Sequence, residues 1–457
     1  MNVETSIQRV KRQKIREERK MSKKQNLKIS LMLFSMFFGA GNLIFPPMVG
    51  KMAGTNMWIT MAAFAFTAVL LPVLGVSVVS ETKGLQNLAS RVDPVFAMVF
   101  TVLIYLSIGP MLGLPRAGSL PFEMAVSPYL PESVNKTMAL FVYTLIFFGA
   151  AFILSLNPGK LVERMGKVLT PILLVLIALL FISSFFKTMP VAEAPVKTYG
   201  KTPFVQGFLD GYNTLDAVAA LNFGFVVYIT INGMGVKDDK KIAALTKKSG
   251  IIAGSLLLII YLSLANLGAK SASMFPNTEN GASILSNVSI YLLGGKGAVL
   301  LGLIFTLACL TTSIGLITSC SAYFTELFKN KLSYKTWVFI WCFISLGLAN
   351  FGLNRILGYS VMVLNSIYPI SIVLIFMAIL NRYVKLDKLV YRATIYTTAV
   401  VSVLDVAAST FGFVKHLVSF MPFSDMHMEW VIPAVVVFGL SLAFSKLSNK
   451  LSPIPEA

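Results

Sequence analysis

The chain has 457 residues, of which 56% are apolar or aromatic and 13% charged. Soluble domains carry roughly 45–50% apolar residues with glycine counted, and about 25% charged. So much apolar surface cannot be hidden in a water-soluble core, and lipid is the implied solvent. Lys and Arg number 39 against 20 Asp and Glu. They sit between apolar runs rather than in one patch, which argues against a nucleic-acid partner.

The first 28 residues hold ten Lys and Arg and no apolar core. They read as a basic cytoplasmic tail (1–28) rather than a cleavable signal peptide, with contact to anionic lipid as an alternative role. Apolar runs then predict spans near 29–50, 57–79, 94–115, 137–156, 168–186 and 211–235. Six more fall near 249–268, 297–325, 335–352, 356–380, 392–413 and 430–446, followed by a short tail (447–457). Residues 280–295 predict an additional surface helix. With the N-terminus inside, inner segments hold 29 Lys and Arg and outer segments 10. The positive-inside rule therefore places both termini in the cytoplasm of a multi-pass cell-membrane protein. Lys237 to Lys241 and the Arg382–Arg392 loop are inner on this reading.

A helix in lipid must pair its own backbone, so sequence that defeats pairing within a span is informative. The first span reads Phe37-Phe38-Gly39-Ala40-Gly41-Asn42-Leu43-Ile44-Phe45-Pro46-Pro47. Two glycines loosen the helix, and two prolines lack donors and disfavour helix in the residue before them. The sixth span carries Asn222-Phe223-Gly224-Phe225 near its middle, where close helix packing by a small residue is the alternative. The first and sixth spans hold the same place in two consecutive blocks of five. An odd block inverts its copy, which is the pattern of an inverted-repeat transporter with paired broken helices. Free donors and acceptors at such breaks suit a zwitterionic amino acid and a co-transported cation.

The run from Phe38 to Pro47 strongly resembles the first span of BrnQ-type branched-chain amino acid:cation symporters, the LIVCS family. Further matches are Tyr105 with Gly109-Pro110, Pro115-Arg116, Asn157-Pro158-Gly159-Lys160 and Ala308-Cys309-Leu310-Thr311-Thr312. The similarity runs from about Lys28 to Lys446. It implies uptake of leucine, isoleucine and valine driven by Na+ or H+, with no other cofactor. It also implies an all-α membrane fold with a LeuT-like five-plus-five inverted repeat (29–186 and 211–380) and two further helices (392–446). Membrane lipid and the amino acid are then the partners.

The resemblance implies a substrate site at Gly39, Ala40, Gly41 and Asn42 with Asn222, Phe223, Gly224 and Phe225. Phe38 is a further candidate for its apolar wall. Tyr105 is a candidate support for the carboxylate, or else a core tyrosine with a satisfied hydroxyl. A sodium position typical of the fold joins first-span carbonyls, from Ser35 and Phe38, to the eighth span. There Cys309, Thr312 and Ser313 share one helix face, with Thr311 the offset alternative and hydroxyls bonded back to their own helix the bland one. Arg116 and Asp216 are read toward the outer ends of spans three and six, where they would form a charged gate. Related transporters use a first-helix arginine for this, but Ile44 stands in that place here. Asp405 is an intramembrane acid with a functional or a structurally paired reading. His416 and His427 fall at an outer loop.

Cys309, Cys320 and Cys342 lie in apolar runs at separations that match no zinc motif, and read as small buried hydrophobes. No HExxH, CxxC or phosphate loop occurs, which argues against a membrane enzyme or a primary pump. No repeat of carbonyl or charged rings suggests a channel. The runner-up is a related symporter for another hydrophobic amino acid.

Overall fold

The first apolar run does not fold as one helix. In the computed structural model, α1 (Lys23–Phe37) ends just before the Phe38-Gly39 step and α2 (Ala40–Ala53) begins after it. Gly39 is extended, with φ −119° and ψ −156°. Pro46 and Pro47 lie inside α2 and do not end it. The structure describes residues 23–451 except 279, 352, 411–413, 415, 417 and 425–427. Most of the basic tail, the last six residues and His427 lie outside the described residues.

The second span is α3 (Met57–Ala65), a π-helical turn (Phe66–Leu70) and α4 (Leu71–Glu81), followed by a short α5 (Leu85–Ala89). The third span opens with α6 (Pro94–Leu106), where the Asp93 side chain accepts from the Phe96 N–H and proline stands in the first turn, a strong helix start. A π-turn (Ser107–Met111) then leads into α7 (Gly113–Ala125). Gly109 within that turn is non-helical (φ −82°, ψ −118°) and precedes Pro110, so the helix kinks there. The span therefore continues to Ala125 instead of ending near 115. The fourth is α8 (Lys136–Ser155), and the fifth a π-helical stretch (Val162–Leu169) running into α9 (Thr170–Ser183).

The second half contains α10 (Thr198–Lys201), α11 (Pro203–Tyr212), α12 (Asp216–Gly233), α13 (Asp239–Lys270) and α14 (Gly281–Leu293). It continues with α15 (Gly295–Leu327), α16 (Tyr334–Ala349), α17 (Leu353–Leu380), α18 (Lys388–Thr410) and α19 (Val431–Leu451). The expected extra helix at 280–295 is α14. The sixth span corrects the sequence reading. Helix α12 runs straight through Asn222-Phe223-Gly224, and the break lies earlier, at Asn213-Thr214-Leu215. Leu215 has left-handed backbone (φ 70°, ψ 3°), a conformation that costs a non-glycine residue about 1–2 kcal/mol. Gly224 serves packing: a Cβ there would lie 2.6 Å from Val79 Cβ and 3.0 Å from the Val76 carbonyl oxygen. A glycine that lets α12 lie on α4 has the same sequence signature as one that loosens a helix.

Nine helical stretches among the described residues are long and apolar enough to cross a bilayer, and three shorter apolar helices accompany them. Large apolar side chains such as Val95, Ile146, Phe343 and Leu440 point outward, each about two-thirds exposed. This outer surface is that of a multi-pass membrane protein. Inside, α2 lies along α13, α12 along α4, α11 along α3, and α15 against α7.

Helix α2 is held by backbone-to-backbone approach. A Cβ at Gly50 would meet the Ala265 oxygen at 1.9 Å, one at Gly268 the Pro47 oxygen at 1.9 Å, and one at Gly281 the Ile44 oxygen at 1.7 Å. A side chain at any of these must push α2 away from its neighbours. Gly268→Val is therefore expected to lower thermal stability in detergent, at a cost of at least about 1–3 kcal/mol. Gly149, which faces outward with no heavy atom within 4 Å of its Cβ position, is the control. Gly149→Val should melt with the wild type, and equal melting of both variants would contradict the packing described.

Candidate functional site

The two breaks face each other across a small cavity of about 50 Å³. Gly39 to Asn42 line it from the first span, Thr214 to Asp216 and Phe223 from the sixth, Arg116 from α7 and Thr312 from α15. The volume holds water rather than an amino acid, so the walls are drawn in.

Asn42 binds the two breaks together. Its Oδ1 accepts from the Gly39 N–H at 2.9 Å, which caps α2. Its Nδ2 donates to Asp216 Oδ2 at 2.5 Å and also to the Tyr261 hydroxyl. The Tyr261 hydroxyl in turn donates to Asp216 Oδ2 at 2.9 Å. Asn42, Asp216 and Tyr261 are all buried. Helices α2, α12 and α13 are thus joined at a carboxyl group. Hydrogen bonds to charged groups are the strong ones, and removing a partner leaves a buried group unsatisfied. Asp216 is the first residue of α12, where unpaired N–H groups and the helix dipole favour negative charge.

Arg116 is 7% exposed. Its guanidinium lies over the Phe45 ring at 5.8 Å, and Nη2 is 3.2 Å from the Cβ position of Gly41. The same Cβ position is 3.1 Å from the Thr214 oxygen, so Gly41 is needed where three spans converge. Arg116 and Asp216 share the cavity, but no ion pair within 4.0 Å joins them among the described residues. They also lie between the helix breaks rather than at the outer span ends. The cause is span length: the third span runs on past its kink to Ala125, and the sixth begins at Pro203. Both residues are therefore interior.

On α15, Thr312 Oγ1 donates to the Ser35 carbonyl at 3.5 Å. It also stands 2.8 Å from the Cβ position of Gly39. Thr311 bonds back to the Leu307 and Ala308 carbonyls of its own helix, each at 3.0 Å. Ser313 Oγ is buried without a hydrogen-bond partner among the described residues, and Cys309 is a buried free thiol, like Cys320 and Cys342. Phe38 stacks on Phe34 at 5.3 Å. Thr312, and not Thr311, thus faces the first break.

Other expected site residues lie elsewhere. Tyr105 stacks on Tyr323 at 4.3 Å, its carbonyl accepts from the Cys320 thiol at 3.3 Å, and it does not line the cavity. The Asn222 side chain is buried without a partner, while its carbonyl accepts from Ser319 Oγ at 2.9 Å. Phe225 packs toward Gly84. Of the Asn222–Phe225 group only Phe223 reaches the cavity, edge-on to Phe37 at 5.3 Å. Asp405 lines a separate cavity of about 180 Å³ with Tyr212, Tyr368 and Glu429. His416 is exposed and helical, and its carbonyl accepts from Ser419 Oγ. Among the described residues no group of three His, Cys, Asp or Glu could hold a metal ion.

Thr214, Leu215 and Tyr261 were not legible as site residues. The signal for the break is Gly211-Tyr212-Asn213-Thr214-Leu215-Asp216, a run of helix-stop and helix-start residue types. Tyr261 carries no signal beyond a hydroxyl in an apolar run.

The family described as "Branched-chain amino acid transport protein" matches residues 22–448. Branched-chain amino acid permease BraB of Bacillus subtilis (strain 168) is 41% identical over 440 residues, covering 94% of this chain and 98% of the relative. Branched-chain amino acid permease BrnQ of the same organism is 40% identical over 423 residues, covering 91% and 96%. Among solved structures, Mhp1, a nucleobase-cation-symport-1 family transporter in a closed conformation with bromovinylhydantoin bound, superposes with a TM-score of 0.58. It shares 13% identity over 94% of this chain and 93% of that one, so this likeness shows the fold alone. With the fold, the broken spans and these relatives together, the chain belongs to the branched-chain amino acid permease (LIVCS) family, membrane transporters of LeuT-like fold rather than enzymes.

Proposed function

We propose that the protein is a secondary active symporter that imports leucine, isoleucine and valine with Na+ by alternating access. The observation that carries this is the convergence of two helix breaks on one buried cavity, with Thr312 reaching across to the Ser35 carbonyl beside it. The names of the relatives supply the substrate class.

The architecture that fits is twelve spans: two inverted blocks of five, over 23–183 and 203–380, and two added helices. Helix packing supports the inversion. Span one lies along span seven (α2 on α13) as span six lies along span two (α12 on α4), which is the exchange a pseudo-two-fold axis produces. Surface pairs support the sidedness. Lys83 meets Asp239 at 2.8 Å and Arg382 meets Glu81 at 2.6 Å, which brings together three loops assigned to the cytoplasm. Lys51 donates to the Phe275 and Pro276 carbonyls at 2.8 and 2.9 Å, joining two loops assigned outside.

A hard cation wants several oxygens at short range. The Ser35 and Phe38 carbonyls, Thr312 Oγ1 and the unpartnered Ser313 Oγ are candidates beside the first break. An ion there ties α1 to α15 and favours the conformation that binds amino acid, and by linkage the amino acid raises ion affinity by the same factor.

Purified protein in liposomes is expected to accumulate leucine, isoleucine or valine against a gradient when a sodium gradient is imposed. Uptake indifferent to both sodium and proton gradients would contradict symport. Thr312→Val keeps the volume and removes the oxygen. It should raise the sodium concentration for half-maximal leucine uptake about tenfold, an effect of about 1.4 kcal/mol, whereas Thr311→Val, which loses bonds only to its own helix, should leave it near the wild-type value. A shift with Thr311→Val alone would place the ion elsewhere, and uptake that follows only a proton gradient would overturn the ion assignment.

A further inference from the structure

A guanidinium and a carboxyl group line one buried cavity without forming an ion pair among the described residues. The Arg116 guanidinium makes no hydrogen bond and no ion pair among the described residues, and it lies over the face of Phe45 at 5.8 Å. Asp216 is 2% exposed and accepts from Asn42 and from Tyr261 at the same oxygen, Oδ2. No cation lies within 4.0 Å of its carboxyl oxygens among the described residues. Burying a charge costs several kcal/mol unless a partner answers it. Both groups line the same cavity, so a planar five-donor fork and a carboxyl group without a cationic partner border the space between the breaks.

A ligand that answers both carries an anion and a cation a short distance apart. A carboxylate matches a guanidinium in bidentate fashion. An ammonium brings three donors and no acceptor, which suits the Asp216 carboxylate and free carbonyls of a broken helix. A simple ion-pair gate fits the geometry less well, because the pair does not close even with the walls drawn in.

We propose that Arg116 and Asp216 read the two charges of the substrate, Arg116 taking the α-carboxylate and Asp216 the α-ammonium. The protein then requires a zwitterion. Asn42 and Tyr261 act as positioning residues that hold the carboxylate at the mouth of α12. This rests on the reading above that an amino acid occupies the cavity between the breaks.

Competition against radiolabelled leucine, on full-length protein in liposomes at fixed sodium, separates the two ideas. Leucine binding by the wild type tests the substrate reading, whatever the two charges do. The pair is tested with leucine analogues that keep the side chain and lose one charge: 4-methylpentanoate, without the ammonium, and isoamylamine, without the carboxylate. Wild-type protein should bind each on the order of 100-fold more weakly than leucine. Arg116→Gln should weaken leucine and bring isoamylamine within a few-fold of it, while still rejecting 4-methylpentanoate. Asp216→Asn should do the reverse. Arg116→Lys, which restores the charge but not the fork, should regain part of the leucine affinity and the rejection of isoamylamine. Wild-type protein that binds either analogue within a few-fold of leucine overturns the proposal without recourse to any variant. So does a uniform loss for all three ligands in both variants, which would mark a structural role. An Asp216→Asn variant that shifts only the sodium requirement, with both rejections intact, would assign Asp216 to the ion and likewise overturn it.

Discussion

Backbone amides and carbonyls cannot go unpaired in hydrocarbon, so a spanning helix can break only where something else satisfies what the break frees. Here local turns bond the amides of Phe38 and of residues 213–215, and Asn42 completes the first break. Its carbonyl oxygen caps the restart of the first span at Gly39, and its amide reaches Asp216 at the restart of the sixth. Each break is thereby stabilised by the other. Tyr261 ties the same carboxylate to the seventh span. The rest of the architecture follows from bringing these segments together: the glycine contacts under α2, the kink at Gly109 that turns Arg116 inward, and the left-handed Leu215 that reopens the helix.

The same economy explains how an ion and an amino acid could be coupled. The first break is contacted on one side by Thr312 of α15 and on the other by the sixth-span break at Thr214. A ligand seated on either side acts on one short, unsupported stretch of chain. Movement of that stretch is felt by both ligands, which is what reciprocal coupling requires. A cavity of about 50 Å³ is too small for an amino acid, so admitting one requires the helices around it to move apart.

Much of this was legible in the sequence, and the unreadable part has physical causes. The first break could be placed because glycines and prolines together are hard to reconcile with an undisturbed lipid helix. The sixth could not, because Gly224 looks like a helix breaker while acting as a contact point for Val76 and Val79 of α4. Packing glycines and hinge glycines differ only in what stands opposite them. The true break at Asn213-Thr214-Leu215 lies just before Asp216, and its left-handed residue is a leucine, which local preference argues against. The register on α15 was readable from spacing, since Thr312 and Thr311 differ by a fixed rotation and only one can face α1. Tyr105 stood open between a site role and a core role, and its stacking on Tyr323 fits the core one. A single tyrosine in an apolar run has no direction until its stacking partner, Tyr323, is known.

The central claim is that residues 39–42 and 213–216 form one amino-acid site. A cryo-electron microscopy map of the protein with leucine and sodium bound tests it most directly. Density for leucine is expected between these two breaks, in contact with the Asn42–Asp216–Tyr261 cluster. Leucine seated instead along Asn222–Phe225, or in the cavity around Asp405, with the breaks closed on each other, would contradict the account.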